Sequence, residues 1–532
     1  MVDRPAQTAQ FYEHLETQIL RYFRQVTGIG SVTGTEYRVF DWLLRKVFPE
    51  FTDPATRRFN KLDISFVRGN QLLVSWNGSS TRNAKRIIVV AHTDHEGFLV
   101  RQQWIDTTNG TKQLWVRAED PGGGSVEDWH AGADVQIAFG WRGEDARRRG
   151  KITEIVKADG VLPDYAKVQV ELEKDEDPSR VLAEFNEHAW TLGVYPTFEE
   201  GADSGSGVRP NEPLSVPFVD NCAGVAVATA VLRTLVDSDA DVNLSVLYTT
   251  GEEAGFVGLL RMLDGSRLAG ALLDAVWIVL DASSHAGSTQ IGMQEWYGLR
   301  VEGIQKREGV GGGVCDEVKG GDRCPENVAA IRLEDRCTIF DYSVALLLYQ
   351  ASLLVKSKLG ATQLRERSWY KNIGVAGIFV RGECEATVLA HHTAFHEGYP
   401  KPPGLRIGAL AIPVVNYRNY AGFNLGAMKP EVTRIGALTS AGFILAEACG
   451  IVSRTHLITA VEPRPREARA LQKYVEAEFP DRIAELMGDP IERMKGYLDL
   501  ATKKKLAEKL DGWAEGEGQR LLETLHPPPV AS

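Results

Sequence analysis

"RIIVVAHTDHEGFLV", residues 86–100, sets two imidazoles and two acids directly after a run of β-branched residues. Ile87, Ile88, Val89 and Val90 read as a strand apolar on both faces, as in a parallel sheet covered by helices. The stretch then ends on His92, Asp94, His95 and Glu96, where open α/β sheets place their sites. Side chains alternate along a strand, so His92 and Asp94 point to the same side. A carboxylate beside an imidazole fixes its tautomer, which a metal-binding histidine requires of its surroundings. Polar residues also end ordinary strands in solvent, so the rest of the chain has to decide.

Upstream, "TAQFYEHLETQILRYFRQV" (8–26) places Phe11, Leu15, Ile19, Phe23 and Val26 at helical spacing. A second amphipathic helix follows over "EYRVFDWLLRKVF" (36–48), with Thr33 or Thr35 in position to cap it. "KLDISFVRGNQLLVSWNG" (61–78) reads as a hairpin closed near its Gly-Asn pair.

Downstream the character changes. "KQLWVRAED", "DVQIAFGWRG", "GKITEIVKA" and "AKVQVELEK" are short alternating strands separated by glycine, proline and charge, the pattern of a small β domain. "PSRVLAEFNEHAW" (178–190) supplies one helix, and "GADSGSGVRPNEP" (201–213) is a linker. Helix–strand alternation then returns. It closes with two buried helices, "IFDYSVALLLYQASLLVKSKLG" (339–360) and "TRIGALTSAGFILAEACG" (433–450).

The expected fold is α/β: a mixed central sheet covered by helices, with an inserted small β-barrel-like domain. Its parts are an α/β domain over 1–98 and 216–454, the insert over 99–215, and a helical C-terminal extension over 455–532 that serves packing or interaction. The last residues, "HPPPVAS", are expected to fray.

Composition narrows the function. The 532 residues carry a net charge of −11, which leaves no basic footprint for nucleic acid. No membrane span and no signal-peptide core are evident. Six cysteines scattered through a long chain suggest reduced thiols and a cytoplasmic location. Cys315, Cys324 and Cys337 lie closer together but match no zinc-ribbon spacing. There is no G-x-S-x-G elbow, and Cys222 lacks an evident histidine partner, which disfavours a covalent nucleophile.

Three further acid sites fall at strand ends or strand-to-helix turns. Asp220 in "VPFVDNCAGVAVATAV" immediately precedes a helix, Glu252 and Glu253 follow "LSVLYTTG", and Asp281 ends "VWIVLD". Singly, each reads as a cap, a helix-start charge or a turn residue. Jointly, four core strands or their exits deliver acids and an imidazole to one sheet edge, where crowded carboxylates repel unless cations intervene. Mixed histidine–carboxylate ligation suits Zn²⁺, with Co²⁺ or Mn²⁺ as alternatives. Two such ions about 3.5–4 Å apart form a hydrolytic centre. Of paired glutamates, one then binds metal while the other acts as general base. Adjacent carboxylates at helix starts suit a glycosidase cleft poorly.

In "AHTDHEG", "VDNCAG", "TGEEAGFVG" and "VLDAS", in this order and layout, the chain resembles the M42 family of metallo-aminopeptidases over about residues 8–450. The resemblance implies hydrolysis of N-terminal residues from peptides by a two-metal-activated water. It implies His92, Asp220, Glu253 and Asp281 as metal ligands, Asp220 bridging, with Asp94 orienting His92 and Glu252 as general base. It also implies homo-oligomerisation through the insert. The chain departs from the family pattern where relatives carry a late histidine ligand: "IPVVNYRNYAG" (412–422) has none, and Arg418 or Asn419 falls near the place. His396 is the substitute candidate, with His391, His392 and Asn419 as alternatives; a surface loop is the ordinary reading of that histidine cluster. "GECEATV" (382–388) likewise stands where relatives carry a glycine-threonine-aspartate substrate loop. A catalytically weak relative serving as an assembly or binding protein, and an N-acyl amidohydrolase, are the competing functions.

Overall fold

The computed structural model describes residues 4–50, 61–67, 70–80, 84–108, 110–119, 131–139, 146–156, 165–187, 192–196, 213–216, 218–263, 275–284, 288–291, 328–335, 340–366, 375–380, 384–395, 406–414, 431–454 and 511–525. The expectations for His396, Arg418, Asn419, the cysteines at 315, 324 and 337, and the final residues lie outside them.

The strand read from the opening stretch is β3 (Arg86–His92), buried from Ile87 onward. It runs parallel to β11 (Asn243–Thr249) on one side and to β12 (Val276–Ser284) on the other. Being covered on both faces, it has no need of the alternating polarity of a one-sided strand. The hairpin β1 (Leu62–Val67) and β2 (Gln71–Asn77) turns at Asn70, whose φ of 62° suits an asparagine. Nine described strands make the sheet, ordered β1-β2-β11-β3-β12-β16-β14-β15-β13. Its second half comprises β13 (Ser288–Ile291), β14 (Ala329–Glu334), β15 (Val375–Val380) and β16 (Arg406–Val414).

Ile87, Val89 and Ala91 face a core layer built with α1 (Arg4–Val26), α4 (Cys222–Asp237), α6 (Tyr342–Gly360) and α8 (Ile435–Arg454). Ile88 and Val90 face a second layer built with α5 (Val257–Leu263) and α7 (Glu385–Phe395). The stretch Ile435–Ser453 is apolar and long enough by composition to cross a membrane, with mean hydropathy 1.8, contrary to the sequence expectation that no segment approaches that length. It is instead 83% buried as a core helix.

The insert forms a closed barrel in the order β4-β5-β8-β7-β6-β9. These strands are β4 (Phe98–Asp106), β5 (Gln113–Glu119), β6 (Asp134–Phe139), β7 (Ala146–Val156), β8 (Tyr165–Val170) and β9 (Gly193–Pro196). Closure leaves no unpaired edge. The barrel has its own apolar interior, into which Val181 and Phe185 of α3 (Pro178–Glu187) also pack.

Two local readings change. Neither Thr33 nor Thr35 caps the second helix: α2 (Tyr37–Trp42) starts without a side-chain cap, and Thr33 is engaged elsewhere. That helix also gives way to a wider turn at Leu43–Val47, which lets the closely spaced Leu43, Leu44 and Val47 all bury.

Part of the C-terminal extension folds back onto the α/β domain. Trp513 is buried against Tyr37, Phe40 and Phe66, with ring centroids 5.9, 6.4 and 5.9 Å away. A short helix, α9 (Gln519–Leu525), follows it and buries Leu521, Leu522 and Leu525.

Candidate metal centre

The site forms where β3 and β11 end, beside Asp281 within β12. His92 closes β3 beside Thr249 of β11. The β3–β12 register, carried two residues past its last pair Val279–Val90, sets Asp281 level with His92 on the same face. Asp281 therefore lies within a strand, where its ordinary reading had been a turn.

Asp220 arrives from the turn into α4. The cap of that helix is Asn221, whose Oδ1 accepts the Gly224 N–H at 3.0 Å. The Asn221 amide donates to the Leu280 carbonyl at 2.8 Å, tying this turn to β12. Glu431 accepts the N–H groups of Val219 and Asp220 at 2.6 and 3.1 Å. It comes from β17 (Glu431–Arg434), held there by a two-stranded sheet with β10 (Pro213–Val216).

His92 Nε2 lies 3.2 Å from Asp220 Oδ1 and 3.5 Å from Asp281 Oδ1. Its Nδ1 lies 3.0 Å from the Asp94 main-chain carbonyl and 3.5 Å from the Asp94 carboxylate. A carbonyl only accepts, so Nδ1 carries a proton and Nε2 faces the two acids. The tautomer is thus fixed more closely by the carbonyl of Asp94 than by its carboxylate, which the sequence reading had favoured. That carboxylate has other work. It accepts Thr33 Oγ1 at 2.7 Å and the N–H groups of Glu252 and Glu253 at 3.1 Å each. Gly251, with φ of +65°, lets the chain turn after β11 so that both amides face Asp94. The turn is pinned further by Glu36, which accepts the Gly251 N–H at 2.9 Å, and by Gln71, which accepts the Thr250 N–H at 2.8 Å.

Charge crowds here. Burial alone would depress the His92 imidazole, but Glu252, Asp220, Asp281 and Asp94 raise it well above its ordinary value. Burial would raise Asp281, yet Arg332 and His92 outweigh it and hold the carboxyl low. Burial would raise Asp94 too, and His92, Thr33 and the Glu252 amide reverse that. Glu252, partly accessible to solvent, is pushed well up by desolvation, with Asp281, Asp220 and Asp94 adding to it against His92. Burial, aided by Asp94, lifts Glu36 to about 8. Burial lifts Glu385, which accepts the Thr249 hydroxyl, to about 7. Burial also pushes the Cys222 thiol far up, so it offers no thiolate.

Among the described residues, one group brings three possible ligand atoms within 4.8 Å of one another: His92, Asp220 and Asp281. An imidazole nitrogen and two carboxylate oxygens suit Zn²⁺, and Nε2 between two acids calls for either a proton or a cation. The group therefore fits one divalent ion. Glu253 is buried and adjoins through its amide but is not in that group. His391 and His392 fall on α7, and their side chains are not among those described.

His95, in the opening stretch, is engaged elsewhere. His95 stacks on Phe218 at 3.5 Å between centroids. Its Nε2 accepts the Ser31 N–H at 2.7 Å, and its Nδ1 lies 2.8 Å from the Glu96 carbonyl. Burial drives it down to about 4, so it is a neutral structural ring. Sequence reasoning missed Glu36, Gln71, Glu431, Glu385 and Arg332. Two of these carried a signal: Arg332 as a charge inside the apolar strand "AAIRLE", and Glu385 as part of "GECEATV", the stretch set where relatives carry a substrate loop.

No family model matches the sequence, and no curated protein matches it. Solved structures do match in fold. An aminopeptidase from the archaeon Desulfurococcus kamchatkensis is 14% identical, covering 86% of this chain and 98% of its own, with a TM-score of 0.50. The TET1 peptidase of Pyrococcus horikoshii, which can assemble into a tetrahedron or a large octahedral shell, is 14% identical over 81% of this chain and 99% of its own, also at 0.50. A TET aminopeptidase from a marine sediment thaumarchaeon is 12% identical over 84% and 99%, again at 0.50. At such identities the likeness is one of fold, and the chain carries the M42-like peptidase fold.

Proposed function

We propose that this chain is a metal-dependent aminopeptidase that hydrolyses N-terminal residues from peptides. The observation that carries the reading is the convergence of His92, Asp220 and Asp281 at one sheet edge, with Glu252 beside them. These three would hold a divalent ion, Zn²⁺ by donor type, with His92 offering Nε2. Such an ion, when bound, supplies Lewis-acid polarisation and a more acidic water. The chain's own residues supply the rest. Asp94 holds the imidazole through its carbonyl and the Glu252–Glu253 turn through its carboxylate. Glu252, partly accessible to solvent, takes a proton from the attacking water and returns it to the leaving amine. The same reading includes a homo-oligomer assembled through the barrel, supported by the TET1 peptidase's shells.

The test is turnover of amino-acid p-nitroanilides by protein purified without chelator. Activity abolished by chelator, restored by Zn²⁺, Co²⁺ or Mn²⁺, and lost in Glu252→Ala supports the reading. Metal-free protein with unchanged hydrolysis by the variant refutes it. A specific observation favours a second reading, a weak or inactive relative that binds or assembles: residues 412–422 contain no histidine. Robust p-nitroanilide turnover rules that out. Turnover of N-acyl amino acids alone would instead identify an amidohydrolase.

A further inference from the structure

Asp511, at the start of the described part of the C-terminal extension, meets two elements far from it in sequence. Its Oδ1 accepts the side-chain amide of Asn70, the turn residue between β1 and β2. Its Oδ2 accepts Arg261 Nη2 of α5 at 3.0 Å.

These two elements grip the same turn. Gln71, directly after Asn70 and buried, accepts the Thr250 N–H at 2.8 Å and donates to the Thr250 hydroxyl at 2.9 Å. From the other side, the first turn of α5 donates to the same stretch. Gly258 N–H bonds the Thr250 carbonyl at 3.0 Å, and Val257 N–H bonds the Gly251 carbonyl at 2.9 Å. Position 258 has no room for a side chain, since a Cβ there would strike that Thr250 carbonyl and the Gln71 amide. The path Asp511–Asn70–Gln71–Thr250–Gly258–Arg261 therefore returns to Asp511. It is a closed ring, and the Glu252–Glu253 pair leaves it just after Thr250. Removing Asp511 deletes the bridge between hairpin turn and α5 on the side away from Thr250.

The bridge acts through geometry rather than energy. The Arg261 and Asp511 side chains are 25% and 35% exposed, so solvent screens their attraction. Trp513, two residues on, is what fixes the segment, buried against Tyr37, Phe40 and Phe66. With the segment anchored, Asp511 gives up little further freedom in making its own bonds.

We propose that Asp511 is a positioning residue for the Glu252–Glu253 turn: anchored through Trp513, it ties the hairpin turn at Asn70 to α5 and so fixes Thr250 from both sides. Its consequence for catalysis rests on the reading of Glu252 as general base given above, whereas the positioning itself is read from amide exchange.

Amide exchange in the full-length chain is followed at Thr250, Gly258 and residues 513–525, with Asp511→Ala, Asp511→Asn and Arg261→Leu beside wild type. In Asp511→Ala, residues 513–525 should stay as protected as in wild type, because Trp513 is intact. Thr250 and Gly258 should exchange about 2–30-fold faster, the span of coupling between linked positions. Asp511→Asn, which keeps one acceptor oxygen, should fall between. Arg261→Leu opens the ring without touching the segment and should speed the same two amides, so it decides the matter even if Asp511→Ala loosens residues 513–525. With amino-acid p-nitroanilides, kcat should fall by a similar factor while KM stays within about twofold, because a general base acts on the chemical step. Exchange at Thr250 and Gly258 unchanged in both Asp511→Ala and Arg261→Leu would overturn the proposal and leave the aminopeptidase reading standing. Faster exchange there, in a chain that holds no zinc and turns over no p-nitroanilide, would refute the aminopeptidase reading and uphold the positioning role.

Discussion

Asn221 caps the helix Cys222–Asp237, and Asp220, its neighbour, does not. The division matters because Asp directly before a helix ordinarily accepts the orphan N–H groups of the first turn. Here the asparagine takes the Gly224 amide at 3.0 Å, which leaves the aspartate facing His92 Nε2 at 3.2 Å.

The two positions should therefore respond in opposite ways. Asn221→Ala removes a cap and a buried bond to Leu280, and should destabilise the metal-free protein by about 1–2 kcal/mol. Asp220→Asn relieves a crowd of acids, so metal-free stability should stay within about 1 kcal/mol of wild type, since the term lost is one of several around His92. Zinc affinity should fall at least tenfold, no less than removal of a supporting group costs. Thermal unfolding with and without zinc checks both. A strongly destabilised metal-free Asp220→Asn would mean that the acid serves the fold rather than a ligand.

Much of this was legible in the sequence. The doubly apolar run Ile87–Val90 gave away a central parallel strand, because only burial on both faces tolerates such a run. The convergence of His92 and Asp220 was readable because a strand end and a helix start both present side chains at one edge, whereas Asp281 joins them from within β12, which runs on to Ser284. The supporting residues were not. Glu36, Gln71 and Glu431 reach the site from 215, 179 and 211 positions away in sequence, through hydrogen bonds to main-chain amides. No local pattern encodes such a bond. Arg332 was visible as an oddity, but its partner depends on a strand order, β12-β16-β14, that follows from long connections rather than from neighbouring residues. The cap at Asn221 shows the same limit at short range. Two adjacent residues were both good caps, and only the fold decided between them.

His95 makes stability depend on pH. The folded ring is neutral down to about 4, while an unfolded histidine titrates near 6.5. Above 6.5 both states are neutral and nothing is lost. As pH falls from 6.5 to 4 the unfolded chain takes up a proton that the folded chain refuses, so stability declines across that window and levels off below it. The full effect is about 3 kcal/mol, from 1.36 kcal/mol per unit. His95→Phe keeps the stack on Phe218 but leaves the Ser31 N–H without its acceptor, costing about 1–3 kcal/mol at neutral pH. Its denaturation midpoint should then change less than wild type's between pH 6.5 and 4.5. Parallel profiles for the two proteins would show that His95 is not the titrating group.

The C-terminal segment should prove to be held by its tryptophan rather than by its ion pairs. Trp513 is 3% exposed and meets three aromatic rings. Around it Arg45 pairs with Glu517, and Arg261 with Asp511 at 3.0 Å, with side chains about a quarter to a third exposed. Solvent screens such pairs to about 0–1 kcal/mol, whereas removing a buried tryptophan costs about 3–5 kcal/mol. Trp513→Ala should release residues 511–525 to protease and speed amide exchange in the helix Tyr37–Trp42, which the ring covers. Arg45→Ala should leave both near wild type. The consequence reaches the candidate centre, because Glu36, directly before that helix, holds the Gly251 amide of the turn bearing Glu252 and Glu253. Exchange at Gly251 should therefore also rise in Trp513→Ala. Faster exchange confined to residues 511–525 would mean that the segment is fastened to the surface without supporting the turn.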